Sequence, residues 1–189
     1  MLDIERRINS KEQLIEWLEY EKRKYGGAGT FFSVSEGPIL YRHQKLLRKT
    51  EFYFNTGKMV RYRIYNYLLK RIQNKYCLRI PLNCCDRGLK IMHLAPVLVN
   101  PNAIIGKDCS FHMNSGLVAA GKDDAAPTLG DGVVVGIGAI IRGGVNISSK
   151  IVIGANAVVT RDFSEVDIAI AGVPAQKVSN TGRSALEAN

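Results

Sequence analysis

VNPNAI-IGKDCS-FHMNSG-LVAAGK, then DDAAPT, then LGDGVV-VGIGAI-IRGGVN-ISSKIV-IGANAV-VTRDFS: residues 99–164 fall into blocks of six with one interruption, DDAAPT at 123–128. The first position of the blocks is Val99, Ile105, Phe111, Leu117, Leu129, Val135, Ile141, Ile147, Ile153 and Val159, apolar throughout. The second is often glycine (Gly106, Gly130, Gly136, Gly154) and the fifth is small or β-branched (Ala103, Cys109, Ser115, Val133, Ala139, Val145, Ala157). A period of six matches neither the 3.6 of a helix nor the alternation of an open strand. It suits a chain that makes a short strand, turns, and makes another, stacking prism-shaped coils. The apolar first residue then points inward, the glycine is read as what lets the chain turn, and the small fifth residue fits a crowded corner. DDAAPT should protrude as a loop.

Outward from the repeat, the chain divides into a helical N-terminal region at 1–80, the prism at 81–178 and a frayed tail at 179–189. Ser10 followed by Gln13 forms a capping-box pattern before the apolar Leu14, Ile15, Trp17 and Leu18, and Gly26, Gly27 and Gly29 end that helix. A second helix is expected from about Leu40 to Phe54. A third runs from about Met59 to Tyr76, with Val60, Ile64, Tyr67, Leu68 and Ile72 at helical spacing.

The formal net charge of +9 lies entirely in residues 1–80, where 17 Lys and Arg face 8 Asp and Glu. In the third helix Arg61, Arg63, Lys70, Arg71 and Lys75 mix with Tyr62, Tyr65, Tyr67 and Tyr76. That face reads first as a solvated basic surface over packed tyrosines, and second as peripheral contact with an anionic membrane. No nucleic-acid-binding motif accompanies the charge, so nucleic acid is not expected as a partner. No apolar run approaches the roughly 20 residues of a membrane span, and the first residues have no apolar stretch of signal-peptide type. Cys77, Cys84, Cys85 and Cys109 form no CxxC pair, and the adjacent Cys84 and Cys85 read as packed thiols. A reducing cytoplasm is the expected location, with the inner membrane face as the site of any peripheral contact.

The repeat resembles the left-handed parallel β-helix of hexapeptide-repeat acyltransferases, so the fold class is mainly β with an α-helical N-terminal region. IPLNCCDRGLKIMHLAPVLVNPNAIIGKDCSFH (80–112) is similar to the segment around the catalytic histidine of serine acetyltransferase-like enzymes. IGANAVVTRDF (153–163) and AGVPAQKV (171–178) resemble their closing coil. KLLRKTEFYFNTGK (45–58) is similar to a subgroup associated with capsule and exopolysaccharide synthesis. The resemblance covers about residues 78–178. It implies a homotrimer, acetyl-CoA as co-substrate without a metal, and acyl transfer in clefts between neighbouring prisms.

The chain has three histidines. His93 occupies the position that resembles the general base, and imidazole titrates where such a base is needed. His112, at the second position of its block, is the second candidate: it lines the acceptor pocket or covers a prism corner. His43 reads as structural. The resemblance implies that Gly138, Ala139 and Ala157 flank the pantetheine arm, and that Pro174, Ala175 and Lys177 lie near the nucleotide, Lys177 facing a phosphate. Backbone N–H groups at Ala120–Gly121 are the expected oxyanion donors.

The chain also departs from the serine enzymes. The acid that precedes the base is here Met92, the Arg-His pair that would hold a substrate carboxylate is Ala125 and Ala126, and the acid that would buttress the base aligns near Leu78, leaving Asp86 to approach from elsewhere. These losses point to a neutral hydroxyl, most simply on a saccharide free or linked to a lipid or nucleotide, with serine O-acetylation as the alternative. A trimeric scaffold without catalysis is a further reading. A γ-carbonic-anhydrase-like zinc site needs three prism histidines, and only His93 and His112 lie in the repeat region.

Overall fold

A computed structural model describes residues 7–26, 34–120 and 124–188. Three helices precede the prism: α1 (Lys11–Lys24), α2 (Glu36–Asn55) and α3 (Met59–Tyr76). The capping box forms at α1, where the Gln13 N–H donates to Ser10 Oγ at 3.1 Å and Gln13 Oε1 accepts from the Asn9 N–H at 2.9 Å. Gly26 follows at φ +69°, while Gly27 and Gly29 lie outside the described residues. α2 begins four residues before the sequence expectation. Pro38 sits in its first turn, where the missing N–H has no helical partner to lose. That early start brings Glu36 into the helix. Along α3, Tyr62 and Tyr65 pack on Phe54 and Tyr53 of α2, and Val60, Ile64 and Tyr67 remain exposed. No described helix is long and apolar enough to cross a membrane.

The remainder is the left-handed parallel β-helix. Its first face stacks β1 (Leu78–Arg79), β3 (Val97–Val99), β6 (Ser115–Val118), β9 (Ile140–Arg142) and β12 (Val158–Val159). The second stacks β4 (Ile104–Ile105), β7 (Thr128–Leu129) and β10 (Asn146–Ile147), extended by bridges from Cys85 and Phe163. The third stacks β2 (Lys90–Ile91), β5 (Ser110–Phe111), β8 (Val134–Val135), β11 (Val152–Ile153) and β13 (Ala169–Gly172), and antiparallel β14 (Ala175–Ser179) closes it. The first-position residues Ile105, Phe111, Leu117, Leu129, Val135, Ile141, Ile153 and Val159 are all at most 1% exposed, forming one apolar column. Ala103, Cys109, Val133, Ala139 and Ala157 fill its corners, also fully buried. Burial holds the Cys109 thiol up at about 12. The Cys84 and Cys85 sulfurs lie 3.3 Å apart as free, buried thiols.

The second-position glycines serve a different purpose from the one read in the sequence. Gly106, Gly130, Gly136 and Gly154 have no positive φ; a Cβ on Gly136 would meet the Ile153 carbonyl oxygen at 2.5 Å and one on Gly130 the Ser149 nitrogen at 2.7 Å. They are needed because the next coil lies against them. The turn itself falls on the fourth position of the block, where Asp108, Asn114, Gly132, Gly138, Lys150 and Asn156 adopt φ between 56° and 70°.

A buried charge cluster fixes the helices on the prism. The Arg48 guanidinium donates to Glu21 at 2.8 Å, to Glu51 at 2.9 Å and to the carbonyls of Cys85 and Asp86, with the Trp17 ring 4.8 Å away. Burial opposes its charge, but Glu21 and Glu51 outweigh that and hold Arg48 protonated. Glu21 also accepts from the Gly88 N–H and Glu51 from the Asn83 N–H. Removing one member of such a set leaves an uncompensated buried charge, a cost of about 3–5 kcal/mol. The segment expected as a frayed tail folds back: α4 (Arg183–Glu187) lies on the prism, with Arg183 bonded to the Asp108 carbonyl and Ser184 to Asp167.

Candidate active site

The turns joining the third face to the first stack into one long edge. Its layers are tied by the Asn114 N–H to the Pro96 carbonyl at 2.7 Å, Gly138 to Met113 at 3.0 Å and Asn156 to Ile137 at 2.7 Å. Five turns stacked about 4.8 Å apart span an edge roughly 19 Å long. His93 sits in the first turn, His112 in the second, Gly138 in the third and Asn156 in the fourth; Val173 and Pro174 close the edge at the terminal hairpin. Ile137 and Val173 stand exposed along it. An extended, partly apolar molecule can therefore lie on backbone and small side chains with its end at the histidines.

His93 is half-buried, and the N-terminus of α2 reaches it. Glu36 Oε2 lies 3.3 Å from His93 Nδ1, and Glu36 Oε1 accepts from the Leu94 N–H at 2.8 Å. The Leu94 bond first, and the His93 bond after it, lower the Glu36 pKa, so the carboxylate is charged. A carboxylate only accepts, which places the imidazole proton on Nδ1 and leaves the Nε2 lone pair free to take a proton. This is the orientation of a general base held by an acid. Asp86 does not fill that role. Its Oδ1 accepts from the Arg87 N–H at 2.6 Å and its carbonyl from Arg48, inside the helix–prism joint. The sequence reading missed Glu36 because it started α2 late; the signal available was Ser35-Glu36-Gly37-Pro38, an acid just ahead of a first-turn proline.

His112 belongs to the same edge, its ring centroid 6.2 Å from that of His93. Burial, then His93 and Lys90, lower its pKa, so it is neutral. Its Nδ1 is buried without a partner among the described residues. His43 is elsewhere: fully buried between α2 and α3, with Gln73 Nε2 3.5 Å from its Nε2. Met92 borders His112 across a shared cavity.

The other expected contact residues divide into three groups. Gly138, Ala139, Ala157 and Pro174 follow the histidine edge, although Ala139 and Ala157 are fully buried, so only their backbones face outward. Ala175 and Lys177 lie on β14; Ala175 is buried, and the Lys177 ammonium is paired with Glu165. Ala120 is on a different edge, between the first and second faces. Its N–H donates to the Ala125 carbonyl at 3.3 Å, which takes it out of use as an oxyanion donor. Gly121 lies outside the described residues. This Ala120–Ala125 bridge closes the base of the loop predicted at the interruption, seated where a Cβ on Gly144 would meet Ala125 at 2.9 Å. In one chain the base of the loop and the histidines occupy different edges of the prism. Among the described residues no three His, Cys, Asp or Glu side chains gather as metal ligands.

No protein-family profile matches the chain. It is 34% identical over 98 residues to the serine acetyltransferase of Synechococcus elongatus, covering 51% of this chain and 40% of that one. To the serine acetyltransferase of Buchnera aphidicola it is 30% identical over 150 residues, covering 75% and 53%. The chain thus spans about half the length of these relatives. Among solved structures, the serine acetyltransferase of Brucella abortus superposes with a TM-score of 0.71 at 19% identity, over 92% of this chain and 72% of that one. The same enzyme in complex with coenzyme A gives 0.66 at 21% identity, over 89% and 67%. The fold is that of the hexapeptide-repeat serine acetyltransferases.

Proposed function

We propose that the chain transfers an acetyl group from acetyl-CoA to a hydroxyl, with His93 as general base and L-serine as the first acceptor to be expected. The observation that carries the reading is the His93–Glu36 pair at the foot of an edge lined by glycine, alanine and exposed Ile137. The serine acetyltransferases similar in sequence, and the solved relative that holds coenzyme A, supply the acceptor and donor classes.

In this mechanism the acceptor hydroxyl gives its proton to His93 Nε2 as its oxygen bonds to the thioester carbonyl carbon. The tetrahedral oxyanion collapses, the C–S bond breaks, and the sulfur takes the proton from His93, leaving the O-acetyl ester and the thiol of coenzyme A. Glu36 keeps the ring oriented and stabilises the imidazolium between the two transfers. Ala120 and Ala125, at the base of the loop, lie on a different edge from His93 of their own chain. A neighbouring prism would bring its loop there, which supports a homotrimer with sites shared between subunits.

A saccharide hydroxyl is the second reading. Ala125 and Ala126 at the loop base offer no charge for an amino-acid carboxylate. Thiol release from acetyl-CoA, measured on the full chain with L-serine and with a panel of sugars, separates the two acceptors. His93→Ala should lower transfer by about 10²–10⁴-fold without changing the size of the assembly. Full activity in that variant would overturn the role of His93.

A further inference from the structure

A cavity of about 250 Å³ opens on the third face of the prism, between β2, β5 and the overlying α4, and ends at His112. Most charge on its walls is already neutralised. Lys24 pairs with Asp108, which also accepts from the Tyr20 hydroxyl at 2.8 Å, and Arg183 pairs with Glu187 at 2.7 Å. Three polar groups are left. The Lys90 ammonium and the Ser110 hydroxyl, outward neighbours in the paired register of β2 and β5, make no side-chain hydrogen bond or ion pair among the described residues. His112 Nδ1 is the third. The lysine and the hydroxyl side by side, with the His112 ring lining the same cavity, form a donor set for oxygen atoms bearing negative charge.

We propose that Lys90, Ser110 and His112 form an oxyanion subsite that holds a carboxylate or phosphate of the acceptor beside the acyl-transfer centre. The placement suits the role. His112 joins the cavity to His93, whose ring is 6.2 Å away, so an acceptor anchored at Lys90 can present a hydroxyl toward the base. It also answers the missing charge at Ala125 and Ala126: the anchoring cation comes from the prism face instead of the loop. Leu186 and Glu187 of α4 also line the cavity, whose volume of about 250 Å³ suits a small acceptor.

The inference rests on the acyltransferase reading, so its test has one arm that needs no turnover. Calorimetric titration of the full chain uses L-serine as the carboxylate probe and glucose 6-phosphate as the phosphate probe, on wild type, Lys90→Met and Lys90→Arg. Wild type should bind one of the two, identifying the source of the oxyanion. Lys90→Met should weaken that binding at least about tenfold, and Lys90→Arg should restore most of it. In the kinetic arm, Lys90→Met should raise the acceptor KM by a similar factor with the acetyl-CoA KM changed less than about twofold. Failure of wild type to bind either probe, or equal binding by Lys90→Met, would overturn the subsite. Binding as expected with no acyl transfer to any alcohol would overturn the acyltransferase reading and leave the subsite standing.

Discussion

At the scale of single residues, two ionisable groups decide behaviour that can be measured. Glu36 is the only described carboxylate in contact with His93. Glu36→Gln keeps an oxygen that can accept from Nδ1 but removes the charge that balances the imidazolium, so kcat should fall about tenfold with the acetyl-CoA KM little altered. Steady-state kinetics on the two proteins check this; unchanged kcat would leave His93 without a functional partner in α2. His43 governs stability. Burial first, and Arg48 second, depress its pKa to about 4 from the ordinary 6.5. The folded state therefore refuses a proton that the unfolded chain accepts. Stability should fall as pH drops from about 6.5 toward 4, by an amount on the order of 3 kcal/mol. Urea unfolding of wild type and His43→Gln at pH 7.5, 5.5 and 4.5 tests it. The variant should lose less stability on acidification, and parallel losses would contradict the assignment.

At the scale of elements, the six-residue block contains two kinds of special position that the sequence presents alike. The apolar first position and the small fifth position were legible because each has one cause, an inward direction or a crowded corner. Glycine at position two was legible as a pattern but not in its cause, since contact between coils separated by a full turn leaves no local trace. The true turn position, the fourth, is shared by Asp, Asn, Lys and Gly, a mixture that hides its common φ. Gly136→Ala should therefore destabilise by about 1–3 kcal/mol, because the added Cβ is driven into the Ile153 carbonyl. Lys150→Gly, at φ 61°, should be neutral or stabilising by up to about 1 kcal/mol. Thermal melts of the pair check the distinction; the reverse order would restore glycine to the turn. His93 was singled out by its motif, whereas Glu36 depended on where α2 starts, and helix starts are the least definite part of a sequence reading.

At the scale of the whole molecule, the arrangement of edges sets the central claim. The histidine edge and the loop edge are separated by the first face of the same prism, and the Arg48 cluster fixes α2 so that Glu36 serves the histidine of its own chain. Glu36 and His93 are thus paired within one chain, while the proposed site takes its opposite wall from another copy. Co-expression of His93→Ala with a variant lacking residues 120–126, each inactive alone, measures this most directly. If the site is shared, random mixing should regenerate about one quarter of the wild-type sites, with activity to match, in the purified mixed assembly. If every mixed assembly is as inactive as its parents while still associating, the site is not built between subunits and the account is wrong.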